Sequence, residues 1–116
     1  MKEYKLNAVL GDFVTECISV LNDKLCDVRL FGSYARGDQT EESDIDVMVV
    51  LDVSVVEVSK FRHDICRIAA VLELKYNVTI SPVLYGKEEY HSRKEFGFCK
   101  NVETEGVSQY AGQAYA

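Results

Sequence analysis

Apolar and polar positions alternate along the chain in two rhythms. Leu6, Val9, Leu10, Phe13, Cys17, Val20 and Leu21 recur at three- and four-residue spacing, which predicts a helix over 3–23. Gly11 lies inside that run, where glycine costs about 1 kcal/mol relative to alanine, so close packing is expected there. Asp27 to Phe31 reads as a strand, and Asp44 to Leu51 as a second one, apolar on both faces beyond its start. Val58, Phe61, Ile65, Ile68, Ala69 and Leu72 predict a long helix over 55–75. Val78 to Tyr85 is a third strand, and Pro82, which cannot donate to a ladder, marks it as an edge strand or one that ends early. Helices are expected over 87–96 and 99–105, and a short strand over 107–110. This succession predicts an α/β fold with a small mixed sheet of three to four strands flanked by helices. It forms one domain, residues 1–110, with 111–116 as a loose tail.

The polar interruption between the first two strands carries the chemistry. It runs Gly32-Ser33-Tyr34-Ala35-Arg36-Gly37, then an acidic, solvated loop, then Ser43-Asp44-Ile45-Asp46. A strand alternates faces and rises about 3.3 Å per residue, so Asp44 and Asp46 project to one side, roughly 6.6 Å apart. Ile45 points into the opposite layer, while Met48 and Val50 share the carboxylate face further along. Like charges this close repel each other, and folding alone gives no reason for the pair. A divalent cation does. Mg²⁺ binds one or two carboxylates at about 2.0–2.1 Å and completes its shell with water and substrate phosphates; Mn²⁺ is an alternative. Gly32 lets a phosphate approach the backbone closely. Ser33 begins a short helical turn that runs to Arg36; the Ser33 hydroxyl and the N–H groups of that turn can donate to phosphate oxygens. Arg36 can add a charge-assisted contact, and Gly37 ends the turn in a left-handed conformation.

Gly32-Ser33, ten residues, then Asp44-x-Asp46 resembles the signature of the polymerase-β-type nucleotidyltransferase superfamily. The flanking residues, Phe31 to Gly37 and Ser43 to Val47, are similar to its small prokaryotic branch, the minimal nucleotidyltransferases. The resemblance covers about residues 20–110. It implies that Gly32 and Ser33 hold the triphosphate of ATP or another nucleoside triphosphate, and that Asp44 and Asp46 are the catalytic, metal-holding pair. It also implies transfer of a nucleoside monophosphate, AMP being the expected one. Members of this branch occur as antitoxins beside a HEPN-type toxin, so a protein partner supplying the acceptor hydroxyl is implied. A second copy of the chain is the other source.

The chain departs from that pattern at the third carboxylate, which the family carries on a later strand. Asn77 to Tyr85 contains no Asp or Glu. By alternation Asn77, Thr79 and Ser81 share a face, and Thr79 stands where the acid is expected. A hydroxyl neither neutralises a second cation nor acts as a base near pH 7. Mg²⁺–nucleotide binding is therefore expected to survive while transfer slows or needs help. Glu73 and Glu88 are substitutes only if the fold brings them in; Asp52 lies about 20 Å from Asp46 by strand rise and is discounted.

Composition narrows the function classes. At 47% hydrophobic and 28% charged residues the chain reads as an ordinary soluble domain. A net charge of −6 disfavours general nucleic-acid binding. No apolar run is long enough to span a membrane, the start has no signal-peptide core, and the cytoplasm is the expected compartment. Cys17, Cys26, Cys66 and Cys99 form no Cys-x-x-Cys pair, which disfavours zinc. Cys17 and Cys66 fall on apolar helix stripes and are expected as core thiols. His63 and His91 sit in polar helical contexts, read as surface. Two functions of different classes follow. One is a Mg²⁺-dependent nucleotidyltransferase acting on a partner protein. The other is a catalytically impaired relative that works by binding that partner.

Overall fold

Four segments pair into one sheet: three are rich in β-branched and large apolar side chains, and the fourth, Val107–Ala111, is short and more polar. The computed structural model describes residues 1–112, and in chain order the elements are α1 (Glu3–Leu21), β1 (Leu25–Phe31), α2 (Ser33–Arg36), β2 (Ile45–Leu51), α3 (Val55–Tyr76), β3 (Ile80–Gly86), α4 (Lys87–Arg93), α5 (Gly97–Glu105) and β4 (Val107–Ala111). The strand order is β3-β2-β1-β4. β1 runs antiparallel to both β2 and β4, and β3 runs parallel to β2 after the α3 crossover. The fold is the expected α/β arrangement, a mixed sheet of four strands with helices on both faces.

β2 is the central apolar strand. Ile45, Val47, Val49 and Leu51 join one buried cluster with Val9, Phe13 and Cys17 of α1 and Ile65, Ile68 and Leu72 of α3. Met48 and Val50 face the other way into a smaller cluster with Cys26, Tyr90, Cys99 and Val102 under α4 and α5. The sheet therefore lies between a large helical layer and a small one. β3 is an edge strand, as Pro82 demands, since only an edge tolerates a missing ladder donor. α3 starts at an N-cap serine: Ser54 Oγ accepts from the Glu57 N–H and donates to the Glu57 carboxylate. It ends at Asn77 in a left-handed conformation, φ 55°.

Several expectations are corrected. Gly11 is exposed, and a β-carbon there would meet nothing, so the close packing expected at that position is absent. Cys66 is exposed rather than a core thiol. It follows Ile65 by one residue, a rotation of about 100° that carries it off the buried stripe. β1 starts at Leu25 rather than Asp27, because an irregularity between Leu25 and Asp27 lets Cys26 turn toward the smaller cluster. β4 continues to Ala111, and the Gly112 N–H donates to Cys26 O at 2.7 Å, so these two residues are tied to the sheet rather than loose. The remainder of the expected tail, 113–116, lies outside the described residues. No described helix is long and apolar enough to cross a membrane.

Candidate active site

The site is assembled where β1 ends and β2 begins. β1 stops at Phe31, and Gly32 then adopts φ 75°, ψ −154°, which only glycine takes without strain. Its lack of a side chain is needed twice, because a β-carbon at Gly32 would collide with the Asp46 carboxylate. The single turn α2 follows, with the Ala35 and Arg36 N–H groups donating back to Gly32 O, both at 3.1 Å. The N–H groups that open such a turn have no acceptor within it. Gly37 closes it in the left-handed region, φ 84°.

Asp46 pairs across the antiparallel ladder with Phe31, next to Gly32. It is half-buried, while Asp44, one residue before the strand, is exposed. Burial raises the Asp46 carboxyl above the ordinary carboxylate value, the Asp44 charge raises it further, and Arg36 partly offsets both. Arg36 donates from Nε to Asp38 Oδ2 at 3.2 Å and from Nη1 to Glu105 Oε2 at 3.4 Å. Phe31, Gly32, Arg36 and Asp46 form one side of a groove of about 370 Å³; Phe98, Asn101, Val102 and Glu105 of α5 form the other. Phe31 and Phe98 pack edge to face with centroids 5.3 Å apart.

The neutral side chain bonded to the carboxylate pair is Ser81, the partner of Asp46 in the parallel ladder, whose Oγ donates to Asp44 Oδ2 at 3.2 Å. Thr79 lies before β3, contributes its carbonyl to the Ile45 N–H at 2.8 Å, and lines a different groove with Glu41, Glu42, Ser43 and Asn77. Glu73 accepts the Ile80 N–H at 2.9 Å. Glu73, Glu88 and Asp52 are all absent from the lining of the Asp46 groove. Sequence reasoning missed the contribution of α5. Phe98, Asn101 and Glu105 recur at helical spacing, which hints at a shared face, but nothing in the sequence says that this face meets Asp46.

Chemically the arrangement is a close carboxylate pair beside a glycine turn and a guanidinium. Among the described residues no group of three or more His, Cys, Asp or Glu side chains could hold a metal ion. The pair therefore suits a cation that takes its remaining ligands from water and substrate phosphates, the usual habit of Mg²⁺.

Comparison with known proteins identifies the family. The family profile described as "Nucleotidyltransferase domain" matches residues 15–105. A Methanocaldococcus jannaschii protein named "Putative protein adenylyltransferase" is 40% identical over 99 residues, covering 85% of this chain and 93% of the relative. A second protein of that organism, with the same name, is 39% identical over 101 residues, covering 87% and 94%. Among solved structures, one described as a "putative minimal nucleotidyltransferase" superposes with a TM-score of 0.59 at 22% identity, covering 92% of this chain and 95% of that one. A crystal structure of a "toxin-antitoxin with AMP-PNP" gives a TM-score of 0.52 at 21% identity, covering 88% and 73%. The structural likenesses support the shared fold, while the profile match, extending over most of the chain, shows that this protein belongs to the nucleotidyltransferase domain family.

Proposed function

We propose that the chain transfers AMP from ATP to a hydroxyl of a partner protein, in a Mg²⁺-dependent reaction, as the antitoxin of a HEPN-type toxin–antitoxin pair. The observation that carries this reading is the single groove in which Gly32, Arg36 and Asp46 meet, with Asp44 beside Asp46. The names of the M. jannaschii relatives support the AMP part, and the likeness to a toxin–antitoxin structure supports the protein partner.

In the proposed reaction the acceptor oxygen attacks the α-phosphorus. The bond from that phosphorus to the oxygen bridging to the β-phosphate breaks, and pyrophosphate leaves. The hydroxyl proton passes to a base or to water. The Gly32-Ser33 turn and Arg36 grip the β- and γ-phosphates, so Arg36 must exchange Asp38 and Glu105 for phosphate oxygens. Asp44 and Asp46 hold Mg²⁺, which supplies charge neutralisation at the phosphates. Ser81 holds Asp44 in place through its hydroxyl. The acceptor hydroxyl comes from the partner protein, a reading that the likeness to a toxin–antitoxin structure supports.

One observation favours a second reading. β3 carries no acid, and Ser81 occupies the position facing Asp46. A relative without a third carboxylate would bind nucleotide weakly or not at all and act by occluding its partner. Label transfer from α-³²P-ATP with Mg²⁺ in a lysate of the source organism tests both, comparing wild type with Asp44→Ala/Asp46→Ala. Label on a protein band with wild type alone supports transfer. No label above the folded double mutant, with other nucleotides and Mn²⁺ also tried, sinks it in favour of the binding module.

A further inference from the structure

The Asp46 groove is longer than a phosphate site requires. Arg36 and Glu105 meet at the C-terminal end of α5, and Phe31 and Phe98 pack at its N-terminal end. Seven residues separate Phe98 from Glu105, about 10 Å along the helix axis. Asp46 lines the same groove and pairs with Phe31. A ligand with its anionic end on Arg36 and its reacting phosphorus at Asp46 must direct its remaining part along α5 toward Phe98. The side chains waiting there are of a different kind from those at the phosphate end. Phe98 is 45% exposed, with its ring packed on Phe31 on one side. Asn101, one helical turn on, is exposed, and its side chain has no hydrogen-bond partner among the described residues. The groove volume of about 370 Å³ falls within the range of small-ligand sites.

We propose that Phe98 and Asn101 form the nucleobase site of this enzyme and select adenine, an inference that rests on the nucleotide reading above. Aromatic rings stack on any base and so contribute affinity without choice. A side-chain amide supplies the choice. It donates to N7 and accepts from the 6-amino group of adenine, satisfying both of its ends. Guanine presents two acceptors along that edge, N7 and O6, and would set the amide carbonyl against one of them. The base is uncharged, which suits a stretch lined by an aromatic ring and a neutral amide.

The test is calorimetric titration of the full chain with ATP, GTP and inorganic tripolyphosphate, with Ca²⁺ in place of Mg²⁺ to suppress turnover. Wild type, Phe98→Ala, Phe98→Leu, Asn101→Ala and Asn77→Ala are compared. Phe98→Ala is expected to weaken ATP about tenfold or more, the range of base–aromatic stacking, and to leave tripolyphosphate unchanged. Phe98→Leu keeps the packing on Phe31 and is expected to weaken ATP in the same sense. Asn101→Ala should shrink the ATP-over-GTP preference by about tenfold. Equal losses for ATP and tripolyphosphate, or a preference moved by Asn77→Ala in the separate Thr79 groove, overturn the assignment. ATP binding no tighter than tripolyphosphate overturns it while leaving the phosphate site standing. No binding by either ligand overturns both this inference and the nucleotide reading beneath it.

Discussion

On the face covered by α1 and α3, β2 presents Ile45, Val47, Val49 and Leu51, each at most 1% exposed, to a cluster built entirely of apolar side chains and tyrosines. On the face covered by α4 and α5 the same strand presents Asp46, then Met48 and Val50. That second face also contains Asp27, 1% exposed, bonded to Ser108 Oγ at 2.8 Å and to Arg29 Nε at 3.2 Å. Arg29 in turn donates to Gly106 O at 3.2 Å, which ties the joint between α5 and β4 to β1. Tyr90 donates to Glu103 nearby. The large layer is held by burial, which is non-directional and roughly proportional to area. The small layer combines a compact apolar cluster, Met48, Val50, Cys99 and Val102 among its members, with polar groups that have fixed partners, and it is the layer that positions α5 over the carboxylates. Stability and chemistry are thus divided between the two sides of one sheet.

Breaking the large layer should have the biggest effect on folding. Phe13→Ala removes one of the largest fully buried side chains and should cost about 3–5 kcal/mol, read from chemical denaturation. Molecules that remain folded should bind nucleotide normally. Any direct effect on affinity would blur the division. The matching cut on the other side is Asp44→Ala/Asp46→Ala. It should lower transfer on the order of 10³-fold, the several kcal/mol of charge stabilisation lost with the cation, while raising the melting temperature of the nucleotide-free protein. A double mutant that melts lower would contradict the strain attributed to the pair. Asp27→Ala leaves Arg29 and Ser108 without their carboxylate and should cost about 3 kcal/mol. It should also weaken ATP, because Arg29 and β4 then hold α5 less firmly; urea melts and titrations on the same sample separate the two effects.

The pH dependence sharpens the comparison with a smaller effect. Asp46 is raised by burial and by Asp44, so its ionisation opposes folding. Its favourable contribution is complete below the ordinary value of 3.8 and is lost as pH rises through the folded-state value. The stability difference between Asp46→Asn and wild type should therefore be near zero at the acid end. It should grow through that window and then level off, and Mg²⁺–ATP should reverse it. Thermal melts across pH 4–7 without metal would show a flat difference if Asp46 were unstrained. The smallest expected effect lies on the outer side of the large layer. Gly11→Ala meets no atom and should stabilise α1 by about 0.4–1 kcal/mol.

Much of the local geometry around the candidate site is legible in the sequence. Gly32, the α2 turn, Gly37 in its left-handed conformation and the opposed faces of Ile45 and Met48 all follow from local rules of dihedral and alternation. The limits of that reading are equally local. Its apolar type puts Cys66 on a buried stripe, yet one residue of rotation carries it outside. A glycine inside α1 suggests close packing, and the exposed position of Gly11 removes that reason. Alternation alone points to Thr79 where Ser81 makes the bond, since the register of two parallel strands depends on how α3 crosses between them, not on either strand's residues.

Read alone, the amino-acid order determined the alternation of helices and strands, the carboxylate pair at a strand mouth and the glycine turn beside it. These depend on neighbours within a few residues, whose geometry is fixed by backbone sterics and side-chain period. Only the tertiary structure decided that α5 returns across the sheet to bring Phe98, Asn101 and Glu105 to Asp46, more than 50 residues away in sequence. The reason is physical. That approach is set by the small polar-linked layer of Asp27, Arg29, Ser108 and Gly106, whose contacts span 77 to 81 residues and leave no periodic trace in the chain.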